Sequence, residues 1–74
     1  MTLARLSEIT AARARLDERE LDLIDRARHD GATWAEIARA LGLGSRQAAE
    51  QRRQRLVAAR RTRLARLDPA GSPD

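Results

Sequence analysis

The side chains of this 74-residue chain that are best suited to chemistry lie in one run, from Ser45 to Arg55 (SRQAAEQRRQR). The run is rich in hydrogen-bonding groups and positive charge, and it contains Arg46, Gln47, Glu50 and Gln51. Residues four apart share a face of a helix, so Arg46 projects beside Glu50 and Gln47 beside Gln51. Such a face can bind a partner, although Arg46 and Glu50 can alternatively pair with each other.

No catalytic or metal-binding arrangement is visible in the sequence. Ser7 and Ser45 have no His and Asp arranged near them, and Ser45 is better explained as a helix cap. His29 is the single His and Cys is absent, so we expect neither a metal site nor a disulfide. The glycines at 42 and 44 belong to a turn between helices rather than to a phosphate-binding loop. The sequence therefore predicts a protein that is not an enzyme and needs no cofactor.

Two capped helices are expected to position these side chains. Thr33 is a good N-cap, and Glu36 three residues later completes a capping box. Gly42 suits a left-handed C-terminal cap, and Ser45 is the next N-cap. Between the caps, apolar residues recur at helical spacing on one face, namely Trp34, Ile37, Ala38 and Leu41. The pattern predicts a short helix, a tight turn and a second helix.

This stretch, residues 33–55, resembles the helix-turn-helix of bacterial DNA-binding proteins. The resemblance is carried by Ala38, Gly42, Leu43 and the Ser45-Arg46-Gln47-Ala48 start of the second helix. There are two departures from the usual pattern. Gly44 makes the turn one residue longer, and the apolar position near the start of the second helix is Ala49 rather than Val or Ile.

The resemblance implies a small, sequence-specific DNA-binding protein, most typically a transcriptional regulator. In such proteins the exposed start of the second helix reads base edges in the major groove, a role that falls here to Arg46, Gln47, Glu50 and Gln51. Candidates for phosphate contacts are Thr33, Trp34, Arg39, Arg52 and Arg53. Trp34 is the single aromatic residue and competes for a place in the core, which we favour.

Charge is distributed unevenly along the chain. Residues 1–30 hold six Arg against seven acidic residues, whereas residues 31–67 hold nine Arg against two. A basic half beside a neutral half is typical of a phosphate-binding face. Two other interpretations remain open: a non-specific architectural DNA binder, or a protein-interaction module that docks on an acidic partner such as the transcription machinery.

The expected fold is all-α, with one domain over residues 1–68 that contains the helix-turn-helix at 33–55. Apolar spacing predicts a long N-terminal helix from about Thr2 to His29, continuous rather than broken near Asp17. A long recognition helix is expected from 45 to 67, ended by the Asp68-Pro69 pair. Strand-forming residues are scarce, so no β-wing is expected, and residues 69–74 are predicted to be a disordered tail.

Apolar residues at the ends of both long helices exceed what a three-helix core can cover. They predict a homodimer, with an interface formed by Leu3, Leu6, Ile9, Leu64 and Leu67. The alternative is a frayed N-terminus. No apolar run is long enough to cross a bilayer and no signal peptide is evident, so the expected location is the cytoplasm, in association with the nucleoid.

Overall fold

The computed structural model describes residues 1–67, which form three α-helices. Helix α1 is Thr2–His29, helix α2 is Trp34–Ala40 and helix α3 is Arg46–Leu67. The described part of the chain contains no strand. The all-α prediction is confirmed, as is the continuity of the N-terminal helix. The predicted tail at 69–74 lies outside the described residues.

Gly31 ends α1 in the left-handed conformation, with φ of +96°. The amide of Ala32 donates to the carbonyl of Ala27 at 2.9 Å, which closes the last turn as a helix C-cap requires. Arg28 reinforces the corner, because its guanidinium donates to the carbonyl of Ala32 at 2.8 Å and lies 5.0 Å from the centre of the Trp34 ring. These contacts fix the direction in which the chain enters α2.

The predicted caps of α2 and α3 are present. The Thr33 hydroxyl accepts from the amide of Glu36 at 3.0 Å, and the Glu36 carboxylate accepts from the amide of Thr33 at 2.8 Å. Gly42 follows α2 with φ of +73°, a conformation that strains any residue with a Cβ. The Ser45 hydroxyl accepts from the amide of Ala48 at 3.1 Å and caps α3. Local hydrogen bonds therefore set the starts of α2 and α3, and the backbone conformation of Gly42 ends α2.

The core is small and lies where the three helices meet. Its buried side chains are Leu21, Ile24, Ile37, Ala38, Ala49 and Leu56. Ala49 is fully buried, so a methyl group is all that separates the start of α3 from its neighbours. Trp34 is half-buried at the edge of the core, as expected for the only large ring, and Leu43 of the α2–α3 turn is half-buried beside the same core.

Both long helices extend beyond this core. The first eleven residues of the chain and the last four described residues of α3 are exposed. The five residues of the predicted dimer interface are all exposed, as are Leu16, Leu23 and Leu41. A separate open groove of about 470 Å³ lies between α1 and α2, with Leu16, Leu23 and Leu41 among its lining residues. Within residues 1–67, no helix has the length and apolar character needed to span a membrane.

Candidate nucleic-acid interface

The candidate site is the face of α3 that points away from the core. Leu56 and Ala49 anchor the opposite face, so side chains half a turn away from them project outward. Three of the four predicted base-reading residues, Arg46, Gln47 and Gln51, are exposed, and Glu50 is half-buried. Among residues 1–67 no ion pair joins Arg46 to Glu50. The structure therefore leaves the Arg46 guanidinium available to a partner.

Gln54 lies on the same outward face of α3, where it forms a strip with Gln47 and Gln51. The sequence-based set of base-reading residues did not include it. Gln47, Gln51 and Gln54 follow one another at spacings of four and three residues, which places them on one side of the helix, and all three are exposed. An amide side chain both donates and accepts hydrogen bonds, and Gln can bind adenine through two of them. This spacing is visible in the sequence and was sufficient to place Gln54 beside the predicted base-reading residues.

The arginines of α3 fall into two groups. Four of them, which we call the paired arginines, are half-buried and hold carboxylates of α1: Arg52, Arg53, Arg60 and Arg63. The other four are exposed and make no ion pair within residues 1–67: Arg46, Arg55, Arg61 and Arg66. The basic charge counted along the sequence is thus partly neutralised inside the fold.

The two ion pairs nearest the candidate site are bidentate. Arg52 donates to the carboxylate of Glu20 at 2.8 and 2.9 Å, and Arg53 donates to that of Asp25 at 2.7 and 3.2 Å. The hydrogen bond from Arg53 lowers the pKa of Asp25, against a smaller opposing effect of burial. In the other pair, the hydrogen bond to Glu20 raises the pKa of Arg52, because it stabilises the charged guanidinium. Planar two-point pairing of this kind fixes both side chains and orients α3 on α1.

The predicted phosphate contacts therefore differ in how available they are. A phosphate would have to displace the carboxylate now bound to Arg52 or Arg53, or share the guanidinium group with it. Trp34 packs at the edge of the core, and the Thr33 hydroxyl is used in the capping box, although Thr33 itself is exposed. Arg39 is exposed and makes no ion pair with another described residue.

Arg39 and Arg46 line one shallow concavity at the start of α3. The concavity has a volume of about 220 Å³ and is completed by residues of the α2–α3 turn, including Leu43, Gly44 and Ser45. The N-terminus of a helix carries partial positive charge, which adds to that of the two guanidinium groups. The extra turn residue, Gly44, forms part of the wall of this concavity.

Comparison of the chain with models of protein families, with curated proteins and with solved structures finds no match.

Proposed function

We propose that this chain is a sequence-specific DNA-binding protein of the transcriptional-regulator type, which reads the major groove with residues 45–55. The observation that carries the proposal is the outward strip of α3, in which Gln47 and Gln51 lie beside the exposed Arg46. Arg and Gln are the side chains that form bidentate hydrogen bonds with guanine and adenine, respectively. A partner that only needed positive charge would not require the amides.

The geometry at the start of α3 supports the same proposal. A helix whose N-terminal turns enter the major groove brings its own N-terminus close to a phosphate. Here that terminus opens onto the concavity lined by Arg39 and Arg46, where Arg39 would hold the phosphate and Arg46 would extend past it toward the bases. A phosphate in this position would set the register of the helix, while the amide strip would discriminate between bases. The expected location is accordingly the nucleoid.

Selection from a random pool of duplexes tests the function directly. We expect a consensus of a few base pairs to be enriched, and the selected duplex to outcompete bulk DNA at physiological salt. Enrichment of no sequence, with duplex binding retained, would favour the architectural alternative. Absence of duplex binding would favour a protein-interaction module.

The proposal includes a homodimer that places two recognition helices on successive half-sites, about 34 Å apart. All five predicted interface residues are at least 49% exposed in the single chain, as an unfilled interface requires. Sedimentation equilibrium at micromolar concentration should give a dimer for the wild type and a monomer for Leu6→Glu, because an acidic side chain cannot be buried in the interface without a partner.

Leu23→Glu is the matched control for this experiment. Leu6 and Leu23 lie on the same helix and are 55% and 53% exposed, but Leu23 lines the groove between α1 and α2 instead. We expect the Leu23 variant to remain dimeric. A monomeric variant at Leu23 with a dimeric variant at Leu6 would move the interface to the groove, and a wild type that is monomeric both free and on DNA would exclude the dimer.

A further inference from the structure

Helix α3 continues well beyond the segment proposed to read bases. It ends at Leu67, twelve residues after Arg55, and the whole helix of 22 residues is roughly 33 Å long at 1.5 Å per residue. Only part of this extension is needed for the core, because Leu56 is the single buried residue between Arg55 and Leu67. The remainder presents exposed arginines to solvent, and the reading of bases by residues 45–55 leaves them without a role.

Two of these side chains, Arg61 and Arg66, are grouped with Arg55 at the end of the proposed base-reading segment, and we call the three the outer arginines. Each is exposed and makes no ion pair within residues 1–67. They alternate along the same helix with Arg60 and Arg63, whose guanidinium groups lie 3.6 and 2.6 Å from the carboxylate of Glu18. The fold therefore assigns neighbouring arginines to two different tasks, one toward α1 and one toward solvent.

Small side chains lie between the outer arginines. Ala58 and Ala65 are seven residues apart, or two turns, and both are exposed on the side of α3 opposite Leu56 and Arg63. Helical spacing places Arg61 on one side of this pair and Arg66 on the other. A surface of this kind lets an extended anionic chain approach the helix closely while cations reach it from both flanks.

DNA has such an anionic chain, the sugar-phosphate backbone, along each edge of the major groove. The major groove is about 12 Å wide and winds around the duplex, whereas α3 is one uninterrupted helix that is itself about 10–12 Å across with its side chains. If residues 45–55 lie in the groove, the second half of the helix leaves it and passes a sugar-phosphate backbone. A helix of this length cannot follow the groove to its end.

We infer that residues 55–66 of α3 form a second phosphate-binding surface, which holds the DNA backbone where the helix leaves the major groove. Arg61 and Arg66 make the principal contacts around Ala58 and Ala65. Arg55 contributes less, because it borders a small cleft that is also lined by Asp17, and the negative charge of Asp17 disfavours a phosphate nearby. This inference rests on the proposed function for the placement of residues 45–55, but it concerns affinity and salt dependence rather than base preference.

The test compares two double variants with the same change in net charge. Arg61→Ala/Arg66→Ala removes two outer arginines, and Arg60→Ala/Arg63→Ala removes two paired arginines from the same stretch of helix. Binding of each protein to the selected duplex and to a random duplex is measured across a salt series. Each lost phosphate contact reduces the slope of log K against log salt by ~0.9, so the outer pair should flatten it by about two units and leave the ratio of specific to random affinity unchanged.

The paired variant should change the slope by less than about half a unit. Circular dichroism establishes that both proteins are folded, and Arg60→Gln/Arg63→Gln replaces the alanine control if helicity falls. An unchanged slope in the outer variant, or an equal loss in both, overturns this inference alone. A wild type without sequence preference, combined with the expected slopes, overturns the base-reading function and retains the backbone surface. A wild type that binds no duplex overturns both.

Discussion

Leu21→Ala is expected to remove a large part of the protein's stability. Leu21 is 1% exposed and is the largest side chain in the described chain to be buried this completely. Removing a buried Leu side chain costs about 2–5 kcal/mol, through lost apolar burial and the cavity left behind. A typical domain has only about 5–15 kcal/mol of stability, and a small core such as this one belongs at the lower end. Urea denaturation followed by circular dichroism measures the loss.

Leu16→Ala is the control for that experiment. Leu16 lies on the same helix but is 65% exposed, so its replacement should change stability by no more than about 0.5 kcal/mol. The comparison separates loss of core packing from any general effect of alanine on α1. Equal stability of the two variants would mean that Leu21 is not buried in the core in solution.

The helices and their ends could be predicted from sequence because the forces that set them are local. The capping box needs only Thr33 and Glu36, three residues apart, and the end of α2 needs only the unusual backbone freedom of Gly42. The absence of Pro and Gly before Gly31 likewise favoured one uninterrupted α1. Each of these predictions is confirmed, and none of them required knowledge of how the helices cross.

The partners of the arginines could not be predicted in the same way. Arg52 and Glu20 are 32 residues apart, and Arg63 and Glu18 are 45 apart, so their pairing depends on the angle and register between α1 and α3. The angle and register depend in turn on how closely α3 approaches the other two helices. The small, fully buried side chain of Ala49 sets that distance. Counting charge along the sequence therefore gave the sign of the surface but not which arginines remain exposed on it.

Arg46→Ala and Gln47→Ala are each expected to reduce sequence preference while largely sparing general affinity for DNA. Both side chains are exposed in the first turn of α3, where base edges would meet them. Loss of a bidentate contact to a base costs ~1–3 kcal/mol at the preferred site, with far less effect on random duplexes. Affinity of each variant for the selected duplex and for a random duplex, measured across a salt series, gives both quantities.

Arg39→Ala provides the contrasting variant. Arg39 lines the same concavity as Arg46 but belongs to α2, so we expect it to contact a phosphate and not a base. Its removal should weaken both duplexes alike and flatten the salt slope by about one unit. From the sequence the same result was expected of Arg53. Its bidentate bond to Asp25 now argues for a smaller change in slope, since that guanidinium already has an anion.

The two sets of variants together decide which chemistry α3 performs. If Arg46→Ala and Gln47→Ala weaken specific and random duplexes equally, these residues do not read bases, and the architectural interpretation gains. If neither they nor Arg39→Ala alter binding of either duplex, the concavity at the start of α3 does not hold a phosphate. In that case the exposed strip of glutamines must face a protein, because hydrogen-bonding amides flanked by arginine also suit the acidic and polar surface of a partner chain.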